Sequence, residues 1–113
     1  MRREVAAVAL VGAGGFVGTV LRYLLAVGLG GPVGTLAANV LGSFALGLSV
    51  TFVDDRRVRL FLATGLLSSF TTYSTFAVET VQLGLGLGTA NVLVTYALGL
   101  LAALLGLRAG GLR

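Results

Sequence analysis

The sequence predicts an all-α membrane protein with four transmembrane helices. Its mean hydropathy is +1.02, and 57% of its 113 residues are hydrophobic whereas only 11% are charged, which is far from the composition of soluble domains. The charged residues stand in short blocks separated by long uncharged runs, and a helix of about 20 apolar residues spans a bilayer core. We therefore expect spans near residues 5–27, 33–53, 60–83 and 89–108 within a single domain, 1–113.

The first predicted span follows Met1-Arg2-Arg3, a start that secretory signal peptides share. Because the rest of the chain is equally apolar, an uncleaved first helix is the better interpretation. Gly30-Gly31-Pro32 separates this span from the second. Small residues at helix-packing spacing predict a close approach of backbones in both spans, and these are Gly14, Gly18, Ala38, Gly42 and Gly47.

The third predicted span contains a run, residues 68–76, in which every side chain carries a hydroxyl or an aromatic ring. Hydroxyls can bond to the carbonyl four residues back and merely bend a helix. Seven hydroxyls in nine residues instead favour a helix break, where exposed carbonyls suit a small cation. Hydroxyl protons and aromatic edges suit a small hard anion. Spacing predicts one helical face formed by Thr72, Thr75, Phe76 and Glu79.

The fourth predicted span is preceded by glycines at positions 84, 86 and 88. This run lacks the Lys-Ser/Thr pair of a phosphate-binding loop, so we expect a flexible turn between spans. Within the fourth span, Asn91, Thr95 and Tyr96 add little to the functional interpretation.

Two polar residues in the first two spans each have two interpretations. Arg22 lies late in the first span, where it either snorkels to the interface or forms an electropositive vestibule that attracts anions. Asn39 lies in the middle of the second span. Its amide either bonds a neighbouring helix or offers two N–H donors to an anion.

Composition excludes several classes of function. The chain has no Cys and no His, which rules out thiol and imidazole chemistry and the usual zinc or haem ligands. Its four acidic residues are scattered, and Asp54-Asp55 adjoin arginines in what we expect to be a solvated loop. The net charge of +4 comes from arginine alone and suits the margins of a membrane protein rather than nucleic acid.

The arginines also predict the topology. Four spans would place both termini and the loop 54–59 on one side of the membrane, and the other two loops carry no Lys or Arg. The positive-inside rule therefore predicts cytoplasmic termini. The arginines on that side are Arg2, Arg3, Arg56, Arg57, Arg59, Arg108 and Arg113.

Three blocks of the sequence together resemble a known family. The blocks are Gly14-Gly15-x-x-Gly18-x-x-x-Arg22-Tyr23, Gly34-Thr35-Leu36-x-x-Asn39-x-x-Gly42-Ser43-Phe44-x-x-Gly47 and Thr71-Thr72-Tyr73-Ser74-Thr75-Phe76-x-x-Glu79. Their combination is similar to the small fluoride ion channel family, known as Fluc or CrcB.

This resemblance implies a dimer of two oppositely inserted subunits in the cell membrane, with the third helix broken near its middle. It also implies that fluoride leaves the cytoplasm down its electrochemical gradient through pores between the subunits. The residues that would line the fluoride pathway are Asn39, Thr72, Tyr73, Thr75 and Phe76, supported by Arg22, Ser43 and Glu79. A structural Na⁺ would be held by the backbone carbonyls of Ser68 and Thr71.

The chain departs from the family pattern in two places. Ser68-Ser69 stands where the family usually has Gly-Gly, and Tyr73 stands where it has Phe. Ser68 can serve only if its backbone dihedrals are allowed for a residue with a Cβ. The Tyr73 hydroxyl can either donate to the ion or narrow its path.

The arginine bias conflicts with dual insertion, which requires a weak positive-inside signal. Either a homodimer overrides the bias by packing, or the chain forms a heterodimer with an oppositely oriented paralogue.

Two other functions stay open at this point. One is a small four-helix multidrug or cation exporter, which needs a carboxylate deep in the first helix, whereas this chain has only Glu4 at its mouth. The other is a non-conducting membrane subunit, which predicts no ion-dependent phenotype.

Overall fold

The computed structural model describes residues 1–111, and every regular element within them is helical. Helix α1 (Arg2–Leu29) is followed directly by α2 (Gly31–Phe52). Gly30 alone separates them, with φ 69° and ψ 161°, in the region that favours glycine. The prediction of an all-α membrane protein is confirmed, and the predicted break at this glycine pair is also correct.

The loop after α2 is held by one carboxylate. The Asp55 Oδ1 accepts hydrogen bonds from the backbone N–H groups of Arg57 at 2.7 Å and Val58 at 3.4 Å, which caps the short helix α3 (Arg56–Arg59). The Arg59 guanidinium donates to the carbonyls of Val53 and Asp54, each at 3.4 Å. These hydrogen bonds are therefore made within the charged loop itself, as expected of a polar segment at the margin of a membrane protein.

The third helical stretch is irregular. Helix α3 continues into a π-helical segment (Leu60–Leu67) and then into α4 (Ser68–Phe70). Helical geometry stops at Thr71, whose φ of −81° and ψ of 160° are extended, and resumes in α5 (Ser74–Gly111). We call residues 71–73 the break segment.

Helix α5 reverses direction at Gly84, which has φ 86° and ψ −179° and divides the helix into a first arm, 74–83, and a second arm, 85–111. Asn91 Nδ2 donates to Thr80 Oγ1 at 3.0 Å, whereas eleven residues of straight helix would separate them by about 16 Å. A turn is found within the predicted run 84–88, but it is confined to Gly84 and is not a flexible loop, because the other glycines of the run are helical.

Three helical stretches of the described chain are long and apolar enough to cross a membrane: Arg2–Leu29, Gly31–Phe52 and Arg56–Gly111. The protein is therefore a multi-pass membrane protein. The expected count of four crossings stays a prediction. Arg113, one of the arginines used to predict topology, lies outside the described residues.

Glycines bring the helices into backbone contact. A Cβ on Gly18 would collide with the Leu66 carbonyl oxygen, and one on Gly65 would lie 2.5 Å from the carbonyl oxygen of Val11, so α1 packs directly on the π-helical segment. A Cβ on Gly47 would collide with the Ala103 carbonyl oxygen, which places α2 against the second arm of α5. The predicted packing role of the small residues in the first two spans is confirmed.

Candidate functional site

A cleft of about 360 Å³ opens between α2, the break segment and both arms of α5. We call it the central cleft. Its polar and aromatic lining residues are Asn39, Ser43, Thr71, Thr72, Tyr73, Phe76, Thr95 and Tyr96. The structure thus brings together, from separate parts of the chain, four of the five residues predicted to form an ion pathway.

The Asn39 amide pairs with the backbone of Thr72. Its Nδ2 donates to the Thr72 carbonyl oxygen at 2.9 Å, and its Oδ1 accepts from the Thr72 N–H at 2.8 Å. The interpretation that the Asn39 amide bonds a neighbouring segment is confirmed, and its role as a donor to an anion stays a prediction. One Nδ2–H binds the neighbouring segment, and only one, rather than two, is left to face an ion.

The Thr72 hydroxyl caps the start of α5. Its Oγ1 accepts a hydrogen bond from the Thr75 backbone N–H at 3.2 Å. Because Thr72 lies before the helix, it does not share a helical face with Thr75, Phe76 and Glu79, and that prediction was wrong for Thr72. A hydroxyl that accepts one bond keeps its own proton, so Thr72 can still donate into the central cleft.

Three aromatic rings stand side by side at the cleft. Phe76 is 7% exposed and lies between Tyr73, which is 72% exposed, and Tyr96. Its ring centroid is 6.1 Å from that of Tyr73 at an interplanar angle of 55°, and 6.1 Å from that of Tyr96 at 83°. Both arrangements are tilted, as ring quadrupoles prefer. Phe76 is therefore fixed, whereas the outer side of Tyr73 is open.

Ser68 and Thr71 lie on a second cleft of about 300 Å³, which also includes Asn39 and Ser43. The Ser68 hydroxyl donates to the Thr64 carbonyl, and that of Thr71 donates to the Leu67 carbonyl at 3.0 Å. Both hydroxyls thus bond back along their own helix, the simpler of the two interpretations of the hydroxyl run. Their hydroxyl protons are therefore not available to an anion.

The backbone carbonyls of Ser68 and Thr71 differ from the hydroxyls, because the N–H groups that would bond to these carbonyls in a helix are engaged elsewhere. The N–H that would close a helical bond on the Ser68 carbonyl belongs to Thr72, and it is given to Asn39. The corresponding N–H for the Thr71 carbonyl belongs to Thr75, and it is given to the Thr72 hydroxyl. Ser68 has φ −68° and ψ −25°, which is ordinary α-helical backbone. The substitution of Ser for Gly therefore causes no backbone strain.

Three predicted site residues lie outside both clefts. Thr75 is exposed at the first turn of α5. Arg22 Nε and Glu79 Oε1 are buried without a hydrogen-bond partner among the described residues. Such groups are costly to leave unsatisfied, and neither has its partner within residues 1–111.

Sequence reasoning missed Thr95 and Tyr96, which contribute one wall of the central cleft from the second arm of α5. The Thr95 Oγ1 is buried and has no hydrogen-bond partner within residues 1–111. The signal that could have found it is polar spacing, because Asn91 and Thr95 are one helical turn apart in an otherwise apolar span.

Comparison with known proteins decides the family. The family model described as CrcB-like protein, Camphor Resistance (CrcB), matches residues 9–107. The chain belongs to this family. The match covers all three sequence blocks that carried the resemblance.

CrcB-family relatives are similar along most of their length. A protein of Halobacterium salinarum named fluoride-specific ion channel FluC 2 is 47% identical, over 94% of this chain and 88% of the relative. One of Natronomonas pharaonis named fluoride-specific ion channel FluC 1 is 51% identical, over 87% of this chain and 88% of the relative. A third, from Ruminiclostridium cellulolyticum and named fluoride-specific ion channel FluC, is 39% identical over 92% of both chains.

Proposed function

We propose that this protein is a fluoride-selective ion channel, not an enzyme, that lets cytoplasmic fluoride leave the cell down its electrochemical gradient and so reduces fluoride toxicity. One observation carries the proposal. The central cleft combines an amide N–H, hydroxyls and aromatic edges in the middle of an apolar protein, in a family whose relatives are named fluoride-specific ion channels.

The chemistry of these groups suits a small anion. Fluoride must exchange its hydration shell for donors of comparable strength, and the free Asn39 Nδ2–H and the Thr72 hydroxyl proton are compact donors. The positive edges of the Tyr73 and Phe76 rings add a weaker attraction. The Asn39–Thr72 pair fixes the donors in advance, which lowers the cost of reorganising them around the ion. Ser43 borders both clefts and would support the same path.

The predicted residues outside the clefts keep their proposed roles. Arg22 would raise the anion concentration at a vestibule, and Thr75 and Glu79 would continue the polar track beyond the central cleft. The unsatisfied Arg22 Nε and Glu79 Oε1 support this, because a pathway or a second subunit can supply their missing partners.

We propose that the working unit is a dimer of subunits in opposite orientations, each crossing the membrane four times. The reversal at Gly84 supports a division of Arg56–Gly111 into two crossings, the first of them broken at residues 71–73. The central cleft is open on the side of Tyr73, so a second subunit would close it. That subunit is either an identical chain, which overrides the arginine bias by packing, or an oppositely oriented paralogue.

We also propose a structural Na⁺ held by the Ser68 and Thr71 carbonyls. The support is the diversion of both helical N–H partners away from these oxygens, because carbonyls freed from helical bonding are the ligands that small cations use in channels. When bound, the cation would neutralise the partial charges of the two carbonyl oxygens. The Asn39–Thr72 hydrogen bonds tie the break segment, which follows Ser68 and includes Thr71, to α2.

Growth in fluoride tests the proposed function. A strain that lacks its own fluoride exporter should regain growth at millimolar fluoride when this gene is expressed, and an Asn39→Asp variant present in the membrane at the same level should not restore it. A failure of the wild-type protein to restore growth, although it is inserted in the membrane, would contradict the proposal. Equal growth in added chloride is the control.

A further inference from the structure

Four arginines from two distant parts of the chain line one open cleft of about 760 Å³. Arg2 and Arg3 come from the first turn of α1, and Arg56 and Arg57 from α3. We call this the arginine cleft. It is larger than the central cleft, and it shares no lining residue with it. The proposed fluoride path therefore does not account for it.

The arginine cleft carries an excess of positive charge. Asp55 is the one carboxylate among its lining residues, and its Oδ1 is already engaged by the backbone N–H groups of Arg57 and Val58. Arg59 does not line the cleft, because its guanidinium is directed at the carbonyls of Val53 and Asp54. Four arginines and one carboxylate thus line the cleft, and guanidinium forks match phosphate oxygens in geometry.

The floor of the arginine cleft is apolar. Its remaining lining residues are Ala6, Ala7 and Leu10, which follow Arg2 and Arg3 in α1 and belong to the long uncharged run of that helix. A ligand that fits must therefore present an anionic group to the arginines and an apolar part to the helix below. The cleft also lies at the start of two helical stretches that are long and apolar enough to cross a membrane, a position that would place it near the lipid headgroups.

We propose that the arginine cleft binds the phosphodiester headgroup of an anionic membrane lipid, with the glycerol and upper acyl chains on the Ala6–Leu10 surface. Basic pockets at the ends of membrane helices recognise lipid headgroups by this combination of charge and apolar contact. A soluble phosphate would use the arginines but not the floor. The lipid would hold the start of α1 against the α2–α3 loop.

The test uses the purified protein in detergent, to which equal amounts of phosphatidylglycerol and phosphatidylcholine are added. Native mass spectrometry should show phosphatidylglycerol retained over phosphatidylcholine by about tenfold. Arg56→Gln and Arg57→Gln should each lower that ratio about threefold, and the double variant should abolish it. Arg108→Gln is the matched control, because it removes one exposed arginine at the end of α5, outside the cleft, and should leave the ratio unchanged.

Three results would overturn the proposal. The first is that the wild-type protein retains both lipids equally, a result that contradicts the proposal without any variant. The second is an equal loss in Arg108→Gln, which would mean that net charge rather than the cleft attracts the lipid. The third is displacement of the bound phosphatidylglycerol by 10 mM inorganic phosphate, which would make the ligand a free anion.

Discussion

Asn39 and Thr72 form a reciprocal pair in which a side-chain amide satisfies both backbone groups of one residue, at 2.9 and 2.8 Å. The pair joins the middle of α2 to the break segment, 33 residues further along the chain. A backbone that leaves helical geometry inside a membrane needs such partners, since lipid provides none. The same amide keeps one N–H for the central cleft. Structure and proposed conduction therefore depend on one side chain.

Replacing Asn39 with Asp should abolish fluoride conduction. The carboxylate cannot donate to the Thr72 carbonyl, and it places a negative charge where an anion must pass. We expect fluoride flux to fall at least 100-fold, and stability to fall by roughly 1–3 kcal/mol, the cost of an unsatisfied buried carbonyl. Efflux from proteoliposomes and loss of the folded size-exclusion peak on heating measure the two effects.

Asn91→Asp is the matched control for this change. Asn91 is also a membrane amide with a hydrogen bond, to Thr80, but it does not line the central cleft. Its replacement should keep flux within about threefold of the wild type. Equal flux losses in the two variants would show that amide loss, rather than position in the cleft, causes the effect.

Thr95→Val should separate conduction from stability. The Thr95 hydroxyl is buried, lines the central cleft and has no hydrogen-bond partner in the described chain. Removing an unsatisfied polar group is neutral or stabilising, so the melting temperature should stay the same or rise. Fluoride flux should fall about tenfold, and Thr95→Ser should retain it. A lower melting temperature with unchanged flux would assign the hydroxyl to structure instead.

Gly18→Ala should destabilise the protein, whereas Gly12→Ala in the same helix should not. A Cβ at Gly18 would collide with the Leu66 carbonyl oxygen, and one at Gly12 would meet nothing within 4 Å. Overpacking costs typically about 1–3 kcal/mol, while alanine favours helix over glycine by about 1 kcal/mol. The measurement is the temperature at which each variant loses its folded size-exclusion peak. Similar temperatures would contradict the close packing of α1 on the π-helical segment.

Much of the fold could be predicted because its signals are local. The charge-free runs indicated the membrane spans. The Gly30-Gly31-Pro32 sequence located the first turn to within a residue or two of its position in the structure. The π-helical geometry of Leu60–Leu67 was not predicted, because the apolar residues of this stretch were interpreted only as a membrane-spanning helix. The turn at Gly84 was predicted as a longer loop, because the sequence shows three glycines at positions 84, 86 and 88 but does not show which of them has a non-helical φ angle.

The candidate site was predictable in composition but not in detail. The hydroxyl and aromatic run and Asn39 were identified by residue type and by family resemblance. Which hydroxyls bond to backbone depends on where the helix breaks, so Thr72 became a helix cap and Ser68 bonded back along its helix. Thr95 and Tyr96 were missed because they belong to the cleft only through the reversal of α5, a relationship that spacing along the chain does not reveal.

Gly84→Ala should destabilise the reversal of α5. Gly84 has φ 86° and ψ −179°, a region that is essentially restricted to glycine and costs a residue with a Cβ about 1–3 kcal/mol. Gly86→Ala is the control, because a Cβ on Gly86 would meet nothing within 4 Å and the backbone there is helical. We expect a lower melting temperature for the first variant only. If both variants melt alike, the turn does not depend on the left-handed conformation of Gly84.

The central claim is that this chain conducts fluoride. The most direct test of this claim uses liposomes that contain the purified single gene product. They are loaded with equal concentrations of potassium fluoride and potassium chloride. After valinomycin is added, a fluoride electrode should record rapid efflux while a chloride electrode records none. Efflux of both anions would contradict selectivity. No fluoride efflux from the single product, followed by none after co-reconstitution with an oppositely oriented paralogue, would contradict the channel itself.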